Sequence, residues 1–259
     1  KGATLFTIWA REPYRATMDV DFLGHGMPDP ERLATVFRTL CSAKVRVDGM
    51  EFLPGSVRAG LIRKDTIYGG VWIRLEAHLW RARIPIKVEV GFGDAVVPKA
   101  QEIAFPTLLK SPKPRLRAYR RETMIAEKFQ AMIRFETENT RMKDYYDLWM
   151  LSQEFAFRGK PLSDAIRATF ERRKTPVPAS MPPGLAPEFF ESTEGRALWK
   201  GFVQRSAFTR PPDPFAGIGK ALREFLLPVA TALAVGTPFK QHWEPGGPWT
   251  RKVAGKGVK

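Results

Sequence analysis

Asp19 and Asp21, one residue apart in "RATMDVDFLG", are the side chains whose type and spacing point most directly to chemistry. On a β-strand, residues i and i+2 project to one face, so the two carboxylates stand together while Val20 and Phe22 turn toward a core. Carboxylates that close repel each other. The repulsion is relieved by a proton, by a cationic side chain between them or by a shared divalent cation. A D-x-D pair alone is common and equally describes a solvated strand end, so its companions decide. Gly2 in "KGATL" lets backbone approach a phosphate closely, and Arg15 and Thr17 offer further phosphate donors. Glu89 supplies a third carboxylate on a strand expected beside the first. A glycine turn, two acids at i and i+2 and one more across a sheet can hold Mg²⁺ against a nucleoside triphosphate. Metal-dependent nucleases also combine strand carboxylates with a lysine, but in the order acid-x-Lys; here the order is Lys87-x-Glu89.

The elements that must position these groups are legible as periodicities. Leu33, Val36, Phe37 and Leu40 recur at helical spacing within 30–43, after the "GHGMPDP" turn. "VWIRLEAHLW" and "RIPIKVEVGFG" alternate as half-buried strands do, with Ile84, Ile86, Val88 and Val90 on one side and Lys87 and Glu89 on the other. A mixed sheet is expected. From residue 121 the period becomes helical in "ETMIAEKFQAMIRF" and "RMKDYYDLWMLSQEF", joined by "ETENT". A Pro-rich connection at 175–187 separates these from helical stretches near 191–206 and 216–227, and a flexible basic tail closes the chain. The expected division is a sheet-bearing core over 1–120 and a mainly helical region over 121–259. Since the chain opens without Met, further N-terminal helices are expected before it.

The 259 residues carry a formal charge of +15, which disfavours a compact state unless a polyanion neutralises it. Nucleic acid is the partner this implies, with a solubilising basic surface as the plain alternative. The charges gather in "KPRLRAYRR" at 113–121, in "ERRKT" at 171–175 and in the tail; such runs suit phosphate contacts, and Tyr119 could add stacking. No apolar run reaches the length of a membrane span and nothing resembles a signal peptide. The single Cys41 has no intrachain partner, which fits a cytoplasmic protein, and reads as a buried small hydrophobe. His25, His78 and His242 lack metal-ligand spacing and read as structural.

Taken in order, "KGATLF", "YRATMDVDFLG", "IPIKVEVGFGDAV", "FPTLL", "AYRRETMIAEKFQAMI" and "NTRMKDYYDLW", with "ATFERRKTPVP" and the ending "PGGPW", resemble the AbiEii/AbiGii nucleotidyltransferase toxin family over most of the chain. The resemblance implies an α+β, polymerase-β-like nucleotidyltransferase fold with a mixed β-sheet followed by a mainly α-helical C-terminal region. It also implies a toxin of a bacterial toxin–antitoxin or abortive-infection system, some relatives adding nucleotides to tRNA 3′ ends. Gly2 matches the family glycine, followed here by Ala3 where relatives carry Ser or Gly. Asp19 and Asp21 match the metal-binding pair. Glu89 stands where many relatives have Asp, with Asp94 as a substitute or a turn cap. Lys128 matches the lysine that meets the triphosphate, and Asp144 and Asp147 match the last motif.

Each assignment has a plain counterpart. Lys128 could be solvated on its helix. Asp144 and Asp147 share a helical face and could form ion pairs with Lys128, Arg141 or Lys143, worth about 0.3–0.5 kcal/mol each if exposed. Tyr145, Tyr146 and Trp149 read as helix-packing groups. The expected activity is Mg²⁺-dependent nucleotidyl transfer from an NTP to an RNA 3′ end, tRNA being the expected acceptor and a cognate antitoxin a possible partner. Modification of a protein hydroxyl and a non-catalytic basic nucleic-acid-binding module are the alternatives.

Overall fold

The computed structural model describes residues 1–10, 15–45, 47–62, 69–107, 111–208 and 212–251. Two compact units form, one from Lys1–Trp9 and Thr17–Asp94, the other from Ala10–Ala16 and Ala95–Lys259. Residues 95–120, grouped with the sheet by their sequence, thus belong to the second unit.

In the first unit a 3₁₀ turn at Ala3–Leu5 leads into the short helix α1 (Phe6–Trp9). Strand β1 (Asp19–Gly24), helix α2 (Pro30–Cys41) and strands β2 (Met50–Ile62), β3 (Gly70–Leu79) and β4 (Ala82–Phe92) follow. The strand order is β1-β4-β3-β2, with β1 parallel to β4 and the other pairs antiparallel, so the sheet is mixed. Helix α2 starts where the Asp29 carboxylate accepts from the backbone N–H groups of Glu31 and Arg32, with Pro30 pre-set in the first turn. Its Ala34, Leu33, Phe37 and Cys41 pack on Val57, Val71, Ile73, Leu75, Val88 and Val90. Each fully buried aliphatic side chain here contributes about 1.5–3 kcal/mol. Cys41 is half-buried at the margin of this core rather than enclosed by it. Phe22 departs from expectation: it is 44% exposed, because β1 is the sheet edge and α2 lies chiefly over β2 and β3.

In the second unit, β5 (Gln101–Ala104) and β6 (Arg115–Ala118) form an antiparallel ribbon. The chain continues through α3 (Arg121–Phe135), α4 (Met142–Glu154), β7 (Phe157–Arg158), α5 (Gly159–Arg172), α6 (Pro187–Glu191), α7 (Thr193–Arg205) and α8 (Phe215–Ala234) to β8 (His242–Trp243) and β9 (Trp249–Thr250). Helix α3 packs on α5, and α8 on α4, α5 and α6. Tyr145 sits within 6 Å of the rings of Phe189, Phe190 and Phe215, and Tyr146 lies 4.7 Å from Phe208. Together with the buried Trp149, both tyrosines are core groups. The Pro-rich connection is pinned: the Gly184 carbonyl accepts from the Tyr145 hydroxyl at 3.1 Å and the Leu185 carbonyl from Arg223 Nη1 at 3.1 Å.

The stretch ahead of the expected basic tail is packed. Trp243 Nε1 donates to the Ser152 carbonyl at 2.7 Å and Trp249 Nε1 to the Phe225 carbonyl at 2.8 Å, closing two indoles over Phe225. Of the expected basic tail, residues 252–259 lie outside the described residues. Among the described residues no helix is long and apolar enough to cross a membrane.

Candidate active site

The register of the sheet determines which side chains of the first unit share a face. Asp19 is the partner of Lys87 and Asp21 that of Glu89 across the parallel β1–β4 pair, while Arg74 and Trp72 of β3 lie opposite Lys87 and Glu89. Partners in register project together, so Asp19, Asp21, Lys87 and Glu89 form one polar patch, opposite the face carrying Val88 and Val90. Gly2 closes against this patch. Its backbone sits at φ +79°, a region where L side chains are strained, and a Cβ built there would overlap the Asp21 carboxylate. The backbone nitrogen of Lys1 donates to the Asp21 carbonyl at 2.9 Å, and the Lys1 ammonium pairs with Asp94. The glycine is therefore demanded by the approach of the N-terminal turn to the second aspartate.

Lys87 bridges two of the three acids: its Nζ lies 2.9 Å from Glu89 Oε1 and 3.2 Å from Asp19 Oδ1. The hydrogen bond to Glu89 first, and the bond to Asp19 after it, raise the Lys87 pKa against the opposing effect of burial. Consistent with an ammonium among the acids, no group of three or more His, Cys, Asp or Glu among the described residues is arranged to hold a metal ion. The donor chemistry nonetheless suits a hard divalent cation, being carboxylate oxygen throughout. With its side chain 39% exposed, Lys87 has room to leave the acids. Thr17 is exposed, its hydroxyl 3.4 Å from the Asp19 carbonyl, and Ala3 opens the 3₁₀ turn after Gly2. The Thr4 hydroxyl in that turn is buried with no hydrogen-bond partner among the described residues.

Within the second unit Lys128, Asp144, Asp147 and Arg15 form an ionic cluster. Lys128 Nζ on α3 donates to Asp144 Oδ1 at 2.5 Å and lies 2.8 Å from Asp147 Oδ2, both acids being fully buried on α4. Arg15 Nε and Nη2 donate to the two Asp147 oxygens at 2.8 Å each, a bidentate fork, and Arg141 Nε donates to Asp144 Oδ2 at 2.6 Å. Burial would raise both carboxyls. Lys128 outweighs it, with Arg141 at Asp144 and Arg15 at Asp147, and holds each below the usual carboxylate range. The same pairing lifts Lys128 against the burial that would lower it. Lys128 is thus not a solvated helix lysine, and Arg15, expected among the phosphate donors, has its guanidinium committed to Asp147. Tyr119, expected to stack on a base, is buried. His78 bonds Glu76 at 2.8 Å.

The sheet unit thus places three carboxylates on one face of a mixed sheet, beside a tight glycine turn. The model of the nucleotidyl transferase AbiEii toxin family, described as a Type IV toxin–antitoxin system, matches residues 1–226, and the chain belongs to that family. Two solved structures resemble it. A crystal structure of a candidate nucleotidyltransferase from H. pylori has 14% identity and a TM-score of 0.46, over 90% of this chain and 84% of that one. The crystal structure of JHP933 from Helicobacter pylori has 14% identity and a TM-score of 0.43, over 86% of this chain and 77% of that one. No curated protein matches.

Proposed function

We propose that this protein is a nucleotidyltransferase toxin that moves a nucleotide from an NTP to the 3′ hydroxyl of an RNA in the cytoplasm, with tRNA as acceptor and an antitoxin opposing it. The observation that carries the reading is the co-facial placement of Asp19, Asp21 and Glu89 on adjacent parallel strands. In the reaction the acceptor oxygen bonds to the α-phosphorus, the bond from that phosphorus to the bridging oxygen breaks, and pyrophosphate departs. Asp19, Asp21 and Glu89 would hold Mg²⁺, which when bound supplies positive charge to the phosphate oxygens. The Gly2 turn brings backbone close against Asp21 of this set. Glu89 would complete the metal site or accept the proton of the attacking hydroxyl. For these acids to hold a cation, the Lys87 ammonium would have to give up its contacts with Asp19 and Glu89. Lys128 and Asp144 have their charges matched within the helical unit and carry no step in this reading.

Two measurements test it. Mg²⁺ with an NTP should raise the melting temperature of the wild type, and Asp19→Asn/Asp21→Asn should abolish that rise while the fold persists; an unchanged rise in the double variant refutes the site. Labelled NTPs incubated with total RNA should mark the tRNA band. Label on protein instead would move the acceptor to a protein hydroxyl, and no label on either would leave a binding module.

A further inference from the structure

The positive surplus is not shared evenly between the two units. The sheet unit has 12 Lys and Arg against 10 Asp and Glu, net +2, and the helical unit 30 against 17, net +13. Within the helical unit one element concentrates basic side chains on a single face. In the β5–β6 ribbon Arg115 lies opposite Ala104 and Arg117 opposite Glu102, so these four share one side, and all four are exposed. Gln101, Ile103 and Ala118 are half-buried or buried and Leu116 is 41% exposed on the other side. The ladder continues past β6, since the Phe105 N–H donates to the Pro114 carbonyl at 2.9 Å. Lys113, also exposed, therefore extends the row at the same two-residue period. Arg120, exposed as well, follows just before α3. Glu102 is the acid on this face and pairs with Arg115, whose side chain is 80% exposed.

We propose that the outward face of this ribbon grips the phosphodiester backbone of the RNA acceptor, an inference resting on RNA being the acceptor. Successive cations at positions 113, 115 and 117 are spaced about 7 Å apart along an extended strand. That is the scale of the phosphate repeat in an extended polynucleotide, and a row of point and forked donors on a two-stranded ribbon meets such a backbone without reading bases. The ribbon pairs with no third strand among the described residues, and the side chains of its outward face are exposed.

The test uses the full chain and fluorescence anisotropy with a labelled 20-nucleotide polyuridylate and with bulk tRNA, both without NTP. Lys113→Gln/Arg115→Gln/Arg117→Gln should weaken binding at least tenfold and lower the slope of log affinity against log salt by about 2, each single-strand phosphate contact contributing about 0.7. Arg115→Lys/Arg117→Lys should retain the affinity, and the Mg²⁺–NTP thermal shift should be unchanged in every variant. Lys113→Glu alone, outside the β5–β6 pairing, should still weaken binding if the triple variant proves unstable. Unchanged affinity and slope overturn the proposal, as does a triple variant that keeps RNA but loses an acidic protein partner. Since binding needs no chemistry, RNA held by the ribbon but never labelled would leave the ribbon as an RNA-binding face and overturn RNA as the acceptor of the proposed transfer.

Discussion

Replacing Lys128 with Met would leave the Asp144 and Asp147 carboxylates buried with one cation fewer between them. Breaking a buried pair in this way costs about 3–5 kcal/mol, and the urea midpoint of Lys128→Met should fall accordingly. The two acids titrate below their unfolded values of about 3.9, so their stabilising contribution is complete above about pH 4 and is lost as pH falls through the folded values. Lys128, raised on folding, contributes below about pH 10.4 and loses that contribution as pH climbs through its folded value. Melting temperature should accordingly fall on acidification below pH 4, and less steeply in Asp144→Asn, whose own contribution is already absent. Lys87 makes a different prediction. Its loss from a partly exposed site should change stability by no more than about 1 kcal/mol. Without the competing ammonium, however, Lys87→Met should bind Mn²⁺ more tightly by electron paramagnetic resonance titration. The acids themselves were legible from period-two spacing. The Lys87 bridge to Asp19 was not, since it depends on pairing residues 68 apart in sequence on two strands.

At the scale of elements, the Gly2 turn is the sensitive joint of the sheet unit. Gly2→Ala forces a methyl group into the Asp21 carboxylate at a strained backbone angle, and the expected result is loss of the Mg²⁺–NTP thermal shift with the sheet retained, seen by circular dichroism. In the helical unit, Trp243→Ala removes a 1% exposed indole that touches Phe225 and donates to Ser152, a loss of about 3–5 kcal/mol in denaturant titration. Helices α2, α3 and α4 and strands β3 and β4 were readable because each keeps one hydrophobic period along its length. Strand β2 was hidden because its register shifts between Leu53 and Arg58, where "LPGS" breaks the alternation. The Pro228 that suggests a helix end is instead carried inside α8, where burial of Phe225, Leu226, Val229 and Ala230 on either side outweighs the missing hydrogen bond.

For the whole molecule, a net +13 on the helical unit against +2 on the sheet unit predicts that attraction for polyanions belongs to the helical unit. The affinity of the intact chain for bulk tRNA should fall more than about tenfold between 50 and 200 mM salt. A salt-independent affinity would mean that the basic surface does not meet phosphates. The amino-acid order by itself determined that three acids face one way on a mixed sheet, that helices follow, and that the surface is basic, because alternation, helical spacing and charge are local properties. Tertiary structure alone decided that Lys87 lies between Asp19 and Glu89, that Lys128 and Arg15 are spent on buried aspartates, and that Arg115–Ala118 of the 113–121 run become one strand of a ribbon. Those outcomes depend on strand register and on desolvation, and both arise only when distant segments of the chain meet.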